Sequence, residues 1–306
     1  MTERIRLVVD SGCDIPKATL DRYNIGLIPG LVVINGEKQP DRRDPEVTQA
    51  IYEANALSLK NECNTDTPPV ADIREWLNDM GEGYDALLIQ TISRTTSPFF
   101  ETVNQATNGV NDVKCRLVDT KTTLTGQAVL ALHTAGLLKH DPPMGKLART
   151  IEQLTHQVYS YAIPADLVYV RERAAKKGVE QIPWFKANLG KWLGMTPIVE
   201  SHQDKQWILG TNKGINRSLQ RIVDRLEELL KQDKLSSPFI CASIAAGSVA
   251  ELGEFSQIER LAELARQYNK KFVRSAMSLA GGVNLGPGSV TLAFASQVNP
   301  FTDKDL

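Results

Sequence analysis

Residues 84–101 read YDALLIQTISRTTSPFFE. The first nine form a largely apolar run without strict alternation, the pattern of a strand covered on both faces, as in a parallel sheet. The run stops at Ser93, Arg94, Thr95, Thr96 and Ser97, which put four hydroxyls and one guanidinium at the carboxyl end of that strand, where open α/β sheets hold their ligands. Ser97, Pro98 and Glu101 then carry helix-start signals: a cap, a first-turn proline and a first-turn acid. A loop so placed sits against free backbone N–H groups and the positive end of a helix dipole, which suits an anionic head group. An ordinary capped strand-to-helix turn has the same composition, so other residues must decide the chemistry.

Outward from this stretch, strands alternate with helices. Residues 4–9 form a strand ending in Asp10-Ser11-Gly12, and 26–34 form another, followed by Asn35-Gly36, a strong hairpin signal because both residues tolerate positive φ. Helices are expected near 17–23 and over 44–59, and Thr67-Pro68 opens a further one through Trp76. A strand over 115–118 ends in Asp119-Thr120, and a long helix covers 124–138. The alternation predicts βαβ units and a mostly parallel sheet. Residues 139–146, KHDPPMGK, combine prolines, glycine and charge and mark the clearest linker.

Beyond the linker, a helix is expected over 147–160, a strand over 166–170, a basic segment over 171–178 and an amphipathic helix over 184–193. Strands over 196–200 and 206–209 are joined by a turn at Gln203-Asp204, so antiparallel pairing enters here. Residues 214–231 place Ile215, Leu219, Ile222, Leu226 and Leu230 on one helical face. A strand over 238–245, a helix over 251–268 and a strand over 272–277 lead to a glycine-rich loop, 281–289, and a last strand, 290–295. The fold class is therefore α/β, with two domains and a ligand cleft between them. Residues 1–142 form an amino-terminal α/β domain, which 283–306 complete, and 143–282 form a carboxyl-terminal α/β domain with a mixed sheet.

At 306 residues the chain is long for one hydrophobic core, which agrees with two domains. With 42% apolar and 23% charged residues and a net charge of -1, nothing global favours nucleic acid or an anionic membrane. The cysteines at 13, 63, 115 and 241 are scattered without a CxxC pair, which argues against a zinc site or disulfide framework and fits a reducing cytoplasm. Residues 1–6 have no hydrophobic signal region, and no apolar run approaches the roughly 20 residues that span a bilayer. Neither export nor membrane insertion is expected. Nucleophile-elbow, zinc-protease, P-loop and dinucleotide fingerprints are absent, and so no catalytic residue, metal ligand or cofactor is assigned. What remains is a set of loops rich in Ser, Thr and Gly, whose hydroxyl and N–H groups suit holding an oxyanion better than cleaving a bond.

The order of these motifs resembles the DegV family of bacterial fatty-acid-binding proteins over nearly the whole chain. Asp10-Ser11, Ile28-Pro29 and Thr65-Asp66-Thr67-Pro68 resemble the family's opening. Residues 92–97 resemble its Ser-Ser-x-x-Ser-Gly loop, Val118-Asp119-Thr120 its Asp-Ser after the fourth strand, and residues 285–288 its terminal His-x-Gly-x-Gly loop. The resemblance implies a non-catalytic carrier with a long-chain fatty acid buried between two domains. Its carboxylate would lie at Thr65 and Ser93, the loop at Gly286 would lie beside it, and a fatty acid kinase would act as partner. The departures are Arg94 for a second Ser, Pro98 for Gly, residues 177–180 for the Gly-Gly-Arg-Ile stretch, and Asn284 for the terminal His. A guanidinium grips a carboxylate with two parallel hydrogen bonds, so Arg94 is expected to reach the cleft in place of that His. The family's first domain also resembles sugar-phosphotransferase and dihydroxyacetone kinase domains, which leaves open a phosphotransfer or phosphoester-processing enzyme using the same hydroxyl-rich cleft.

Overall fold

A computed structural model describes residues 3–176 and 195–301. The first half of the chain builds β1 (Ile5–Asp10), α1 (Lys17–Arg22), β2 (Gly26–Ile28), β3 (Leu31–Ile34), β4 (Glu37–Pro40), α2 (Pro45–Glu53), β5 (Cys63–Asp66), α3 (Val70–Gly81), β6 (Ala86–Thr91), α4 (Phe99–Thr107), β7 (Lys114–Asp119) and α5 (Thr125–Leu138). The second half builds α6 (Met144–Thr155), β8 (Val158–Ile163), α7 (Leu167–Lys176), β9 (Thr196–His202), β10 (Lys205–Asn212), α8 (Ile215–Lys231), β11 (Leu235–Ile244), α9 (Ser256–Gln267), β12 (Lys271–Ala276), α10 (Leu279–Leu285) and β13 (Val290–Ser296).

Three sheets result. A parallel sheet runs β2-β1-β6-β7, a small antiparallel sheet runs β4-β3-β5, and a mixed sheet runs β10-β9-β8-β13-β11-β12. Every residue of β6 is buried, as its unalternating sequence requires of an inner parallel strand. The turn at Asn35 (φ 51) and Gly36 (φ 87) has the two left-handed residues that match the twist of the β3–β4 hairpin. The strand expected over 26–34 is broken at Pro29-Gly30, where the Gly30 N–H donates to Ser11 Oγ, so that its halves serve two different sheets.

Ten of the fourteen residues of α5 are buried, because this helix is apolar around its whole circumference and lies between the parallel and mixed sheets. Leu7, Val9 and Leu88 on one side and Phe239, Cys241, Ala293 and Ala295 on the other join it in a single core. Hydrophobic packing thus crosses the boundary placed at 142. The last strand, expected to complete the amino-terminal domain, pairs in the mixed sheet, between β8 and β11 and antiparallel to both, and packs against α5 through Ala293 and Ala295. All seven of its residues are buried, with Ala293 and Ala295 serving the α5 core while Leu292 and Phe294 serve the core under α8 and α9.

Three local expectations are corrected. Helix α6 ends at Thr155, and residues 158–163 are already strand. The run 166–170 is not a strand but the start of α7: Asp166 Oδ1 accepts the N–H groups of Val168 (2.7 Å) and Tyr169 (3.2 Å) as an N-cap. The glycine-rich stretch from 281 is mostly α10, capped by Ser278 and ended by Gly286 at φ +89. Its glycines serve packing: a Cβ on Gly282 would lie 2.3 Å from the Tyr52 hydroxyl. The helix expected over 184–193 and the family stretch at 177–180 fall outside the described residues.

Candidate functional site

A cavity of about 680 Å³ lies where the three sheets approach one another. Its floor is the carboxyl end of the parallel sheet. There Asp10 accepts hydrogen bonds from Gly12 N (2.7 Å), Ile92 N (2.5 Å) and Gln127 Nε2 (3.1 Å), pinning β1, β6 and α5 together. Burial pushes the Asp10 carboxyl up to about 6 despite these donors. One wall comes from β5 and α10, with Asn64, Thr65, Asn284 and Leu285; another comes from α7, with Val170 and Arg173; a third is the face of β8, β9 and β10. Phe99, Leu31 and Leu124 supply apolar surface between them.

Arg173 is the cation among the described residues that line the site. It is 2% exposed, its ring neighbour is Tyr169 at 5.0 Å, and its terminal nitrogens donate to Ser58 O (2.8 Å) and Asn61 O (3.1 Å). Its Nε is buried with no hydrogen-bond partner, and no carboxylate among the described residues pairs with it. Sequence reasoning missed it as a site residue. The available signal was its position three and four residues beyond Val170 and Tyr169, which puts all three on one helical face.

The sequence-derived site residues divide into two groups. Thr65 and Asn284 line the cavity from facing elements, whereas Ser93, Arg94 and Gly286 do not line it. Ser93 is 1% exposed, and its hydroxyl donates to Asp204 at the tip of the β9–β10 hairpin while also meeting Thr95 Oγ1 at 2.9 Å. Arg94, expected in the cleft, turns outward instead. Its Nε lies 3.4 Å from Asp119, it approaches Glu101 at 4.0 Å, and its guanidinium stacks on Phe100 at 4.4 Å, so the nearby acids and ring hold it away from the cavity. Gly286 ends α10, and a side chain there would collide with Tyr169. Among the described residues no group of three or more His, Cys, Asp or Glu is arranged to hold a metal, and no helix is long and apolar enough to cross a membrane.

Three sheets around one cleft place the chain among α/β proteins that combine a parallel and a mixed sheet around an interior cavity. Its relatives narrow that class. The model described as "Uncharacterised protein, DegV family" matches residues 4–297, and so the chain belongs to the DegV family. A DegV domain-containing protein of Xanthomonas axonopodis pv. citri is 29% identical, over 98% of this chain and 99% of that one. Among solved structures, DegV of Bacillus subtilis, described as a fatty acid binding protein, superposes with a TM-score of 0.75 at 20% identity, covering 96% of this chain and 100% of its own. A stearic acid-binding protein of Eubacterium ventriosum gives a TM-score of 0.76 at 19% identity over 96% and 98% of the two chains.

Proposed function

We propose that this protein is a non-catalytic carrier holding a long-chain fatty acid in the cavity, with the carboxylate at Arg173 and the acyl chain along the apolar surfaces of Leu31, Phe99, Leu124 and Val199. The observation that carries this reading is the buried guanidinium of Arg173, which among the described residues has one N–H unmade and no carboxylate to balance it. A buried cation without a counter-charge is costly, and a ligand carboxylate removes that cost. Asp10 on the floor disfavours a carboxylate placed beside it, which favours the Arg173 wall. Thr65 and Asn284 are placed to orient the head group. The names of the Bacillus and Eubacterium relatives support the same ligand class.

Burying an acyl chain contributes roughly 0.8 kcal/mol per CH₂, so about a dozen methylenes outweigh the head group and retain the acid through purification. No cofactor enters this function. On the same reading, the partner is a fatty acid kinase that takes up the presented carboxylate, and the protein works in the cytoplasm, where its cysteines remain free thiols.

Denaturing extraction of the purified protein followed by mass spectrometry should release a long-chain fatty acid. Arg173→Met should weaken binding of stearic acid about 10- to 100-fold, the scale of a hydrogen bond to a charged group, and Arg173→Lys should recover part of that loss. A protein that carries no fatty acid and binds none on titration refutes the reading; undiminished affinity in a folded Arg173→Met protein refutes the placement of the head group.

A further inference from the structure

The wall formed by β8, β9 and β10 changes character along its length. Ser160 lies opposite Ser201, and Ser201 opposite Gln206; two residues along, Ala162 lies opposite Val199, and Val199 opposite Ile208. Side chains alternate along a strand, so both rows share one face of the sheet. That face is the cavity side, which Ser160, Ser201, Gln206, Ala162 and Val199 all line. The apolar row packs against Val170 and Leu167 of α7 and so belongs to the Arg173 end. The polar row lies about 7 Å away, nearer the hairpin tip.

Among the described residues this polar row is almost unused. Ser201 Oγ and the Gln206 amide have no hydrogen-bond partner among the described residues, and Ser160 Oγ reaches only Thr122 Oγ1 at a long 3.5 Å. The row carries no cation, while Asp204 at the adjoining tip and Asp10 on the floor are acidic, so a second anion is disfavoured there. A plain acyl chain crossing the row would strip water from these groups and return nothing. A hydroxyl can both donate and accept, as can Ser and the Gln amide.

We propose that Ser160, Ser201 and Gln206 form a second polar subsite, and that the preferred ligand is a long-chain acid carrying a neutral hydroxyl where the chain crosses them. This rests on the fatty acid reading above and deepens it by naming the subclass of acid. Sites built to hydrogen-bond a substrate hydroxyl discriminate against the analogue lacking it far more strongly than apolar pockets discriminate by size.

The test is titration of the delipidated full-length protein with stearic acid and with hydroxystearic acids whose hydroxyl sits near the head, at mid-chain or near the methyl end. At least one isomer should bind about tenfold tighter than stearic acid. In the Ser201→Ala, Gln206→Leu double variant that ratio should fall to about one, with stearic acid gaining affinity because its wall is now apolar. Should the double variant fail to fold, as judged by its melting curve, Gln206→Leu alone on the half-exposed edge strand should still lower the ratio. Isomers that bind no tighter than stearic acid, or a preference that survives in the variants, overturn the proposal and leave the fatty acid reading standing. Failure of stearic acid and of every isomer to bind overturns both.

Discussion

Replacing Arg43 with methionine is expected to destabilise the protein by about 3 to 5 kcal/mol and to lower its melting temperature by roughly 6 to 10 °C. The Arg43 side chain is only 5% exposed and lies close to two acids, Asp14 and Asp41. One terminal nitrogen is 3.6 Å from Asp14, and the other donates to Ser275 Oγ (2.9 Å) and Ala276 O (2.6 Å) at the end of β12. Asp14 also accepts from Ser243 Oγ (2.5 Å) and Ser278 N (2.8 Å), and Asp41 accepts from Arg43 N (3.0 Å) and Leu279 N (2.9 Å). The cluster therefore ties the ends of the first two sheets to the start of α10, the helix that brings Asn284 to the cavity. Burial pushes both carboxyls up, and Arg43 pulls them back.

Without the guanidinium both acids would sit buried with no counter-charge and would take up protons on folding. An acid whose folded value lies above its unfolded one loses stability as pH rises through that interval. The deficit of Arg43→Met should thus be larger at pH 7.5 than at pH 5. Thermal denaturation at the two pH values checks this, and a variant that melts within about 2 °C of the parent at pH 7.5 would show that the cluster contributes little.

What the sequence discloses depends on how local the deciding contact is. The inner strand β6, the Asn35-Gly36 hairpin and the one-sided helix α8 are written in short-range patterns, and all three form. The run from Leu167 to Val170 is apolar enough for either a strand or a buried helix segment, and only the cap at Asp166 decides. Gly281 and Gly282 read as a loop until Leu124, Met277 and Tyr52 are seen against them, a contact that no window of sequence contains. The position of β13 likewise depends on pairing with β8 and β11, both distant in sequence.

The site shows the same division. Thr65 and Asn284 reach the cavity because the elements that carry them face it, whereas Ser93 and Arg94 sit in the most conspicuous loop but are engaged by Asp204 and Asp119. Arg173 looks like one charge in a solvated basic segment. Its burial becomes apparent only once the carbonyls of Ser58 and Asn61 are folded against it.

Glu200→Gln is expected to stabilise the protein by roughly 3 kcal/mol at pH 8 and to leave it nearly unchanged at pH 4. Glu200 is 1% exposed on β9, facing the core beneath α8, with Tyr161 opposite it on β8 and Trp207 opposite it on β10. Burial pushes its carboxyl from 4.5 up to about 7, while the neighbouring Tyr161 hydroxyl pulls it back only partly. Neither Glu200 Oε2 nor the Tyr161 hydroxyl reaches hydrogen-bond geometry with any described group, so the ionised form has little to hold it.

The sign of the effect follows from the two protonation states. Below about pH 4.5 the carboxyl is neutral in both folded and unfolded chains, and its burial carries no charge penalty. Between that value and about 7 the unfolded chain ionises first and stability falls; above 7 the penalty is complete. Asp10 adds a slope of the same sign at somewhat lower pH, but it is common to both proteins and drops out of the difference. Urea denaturation at a series of pH values should show the two stability curves meeting near pH 4 and separating up to about pH 7. Parallel curves across that range would mean that Glu200 is hydrated or paired in solution and titrates as an ordinary acid.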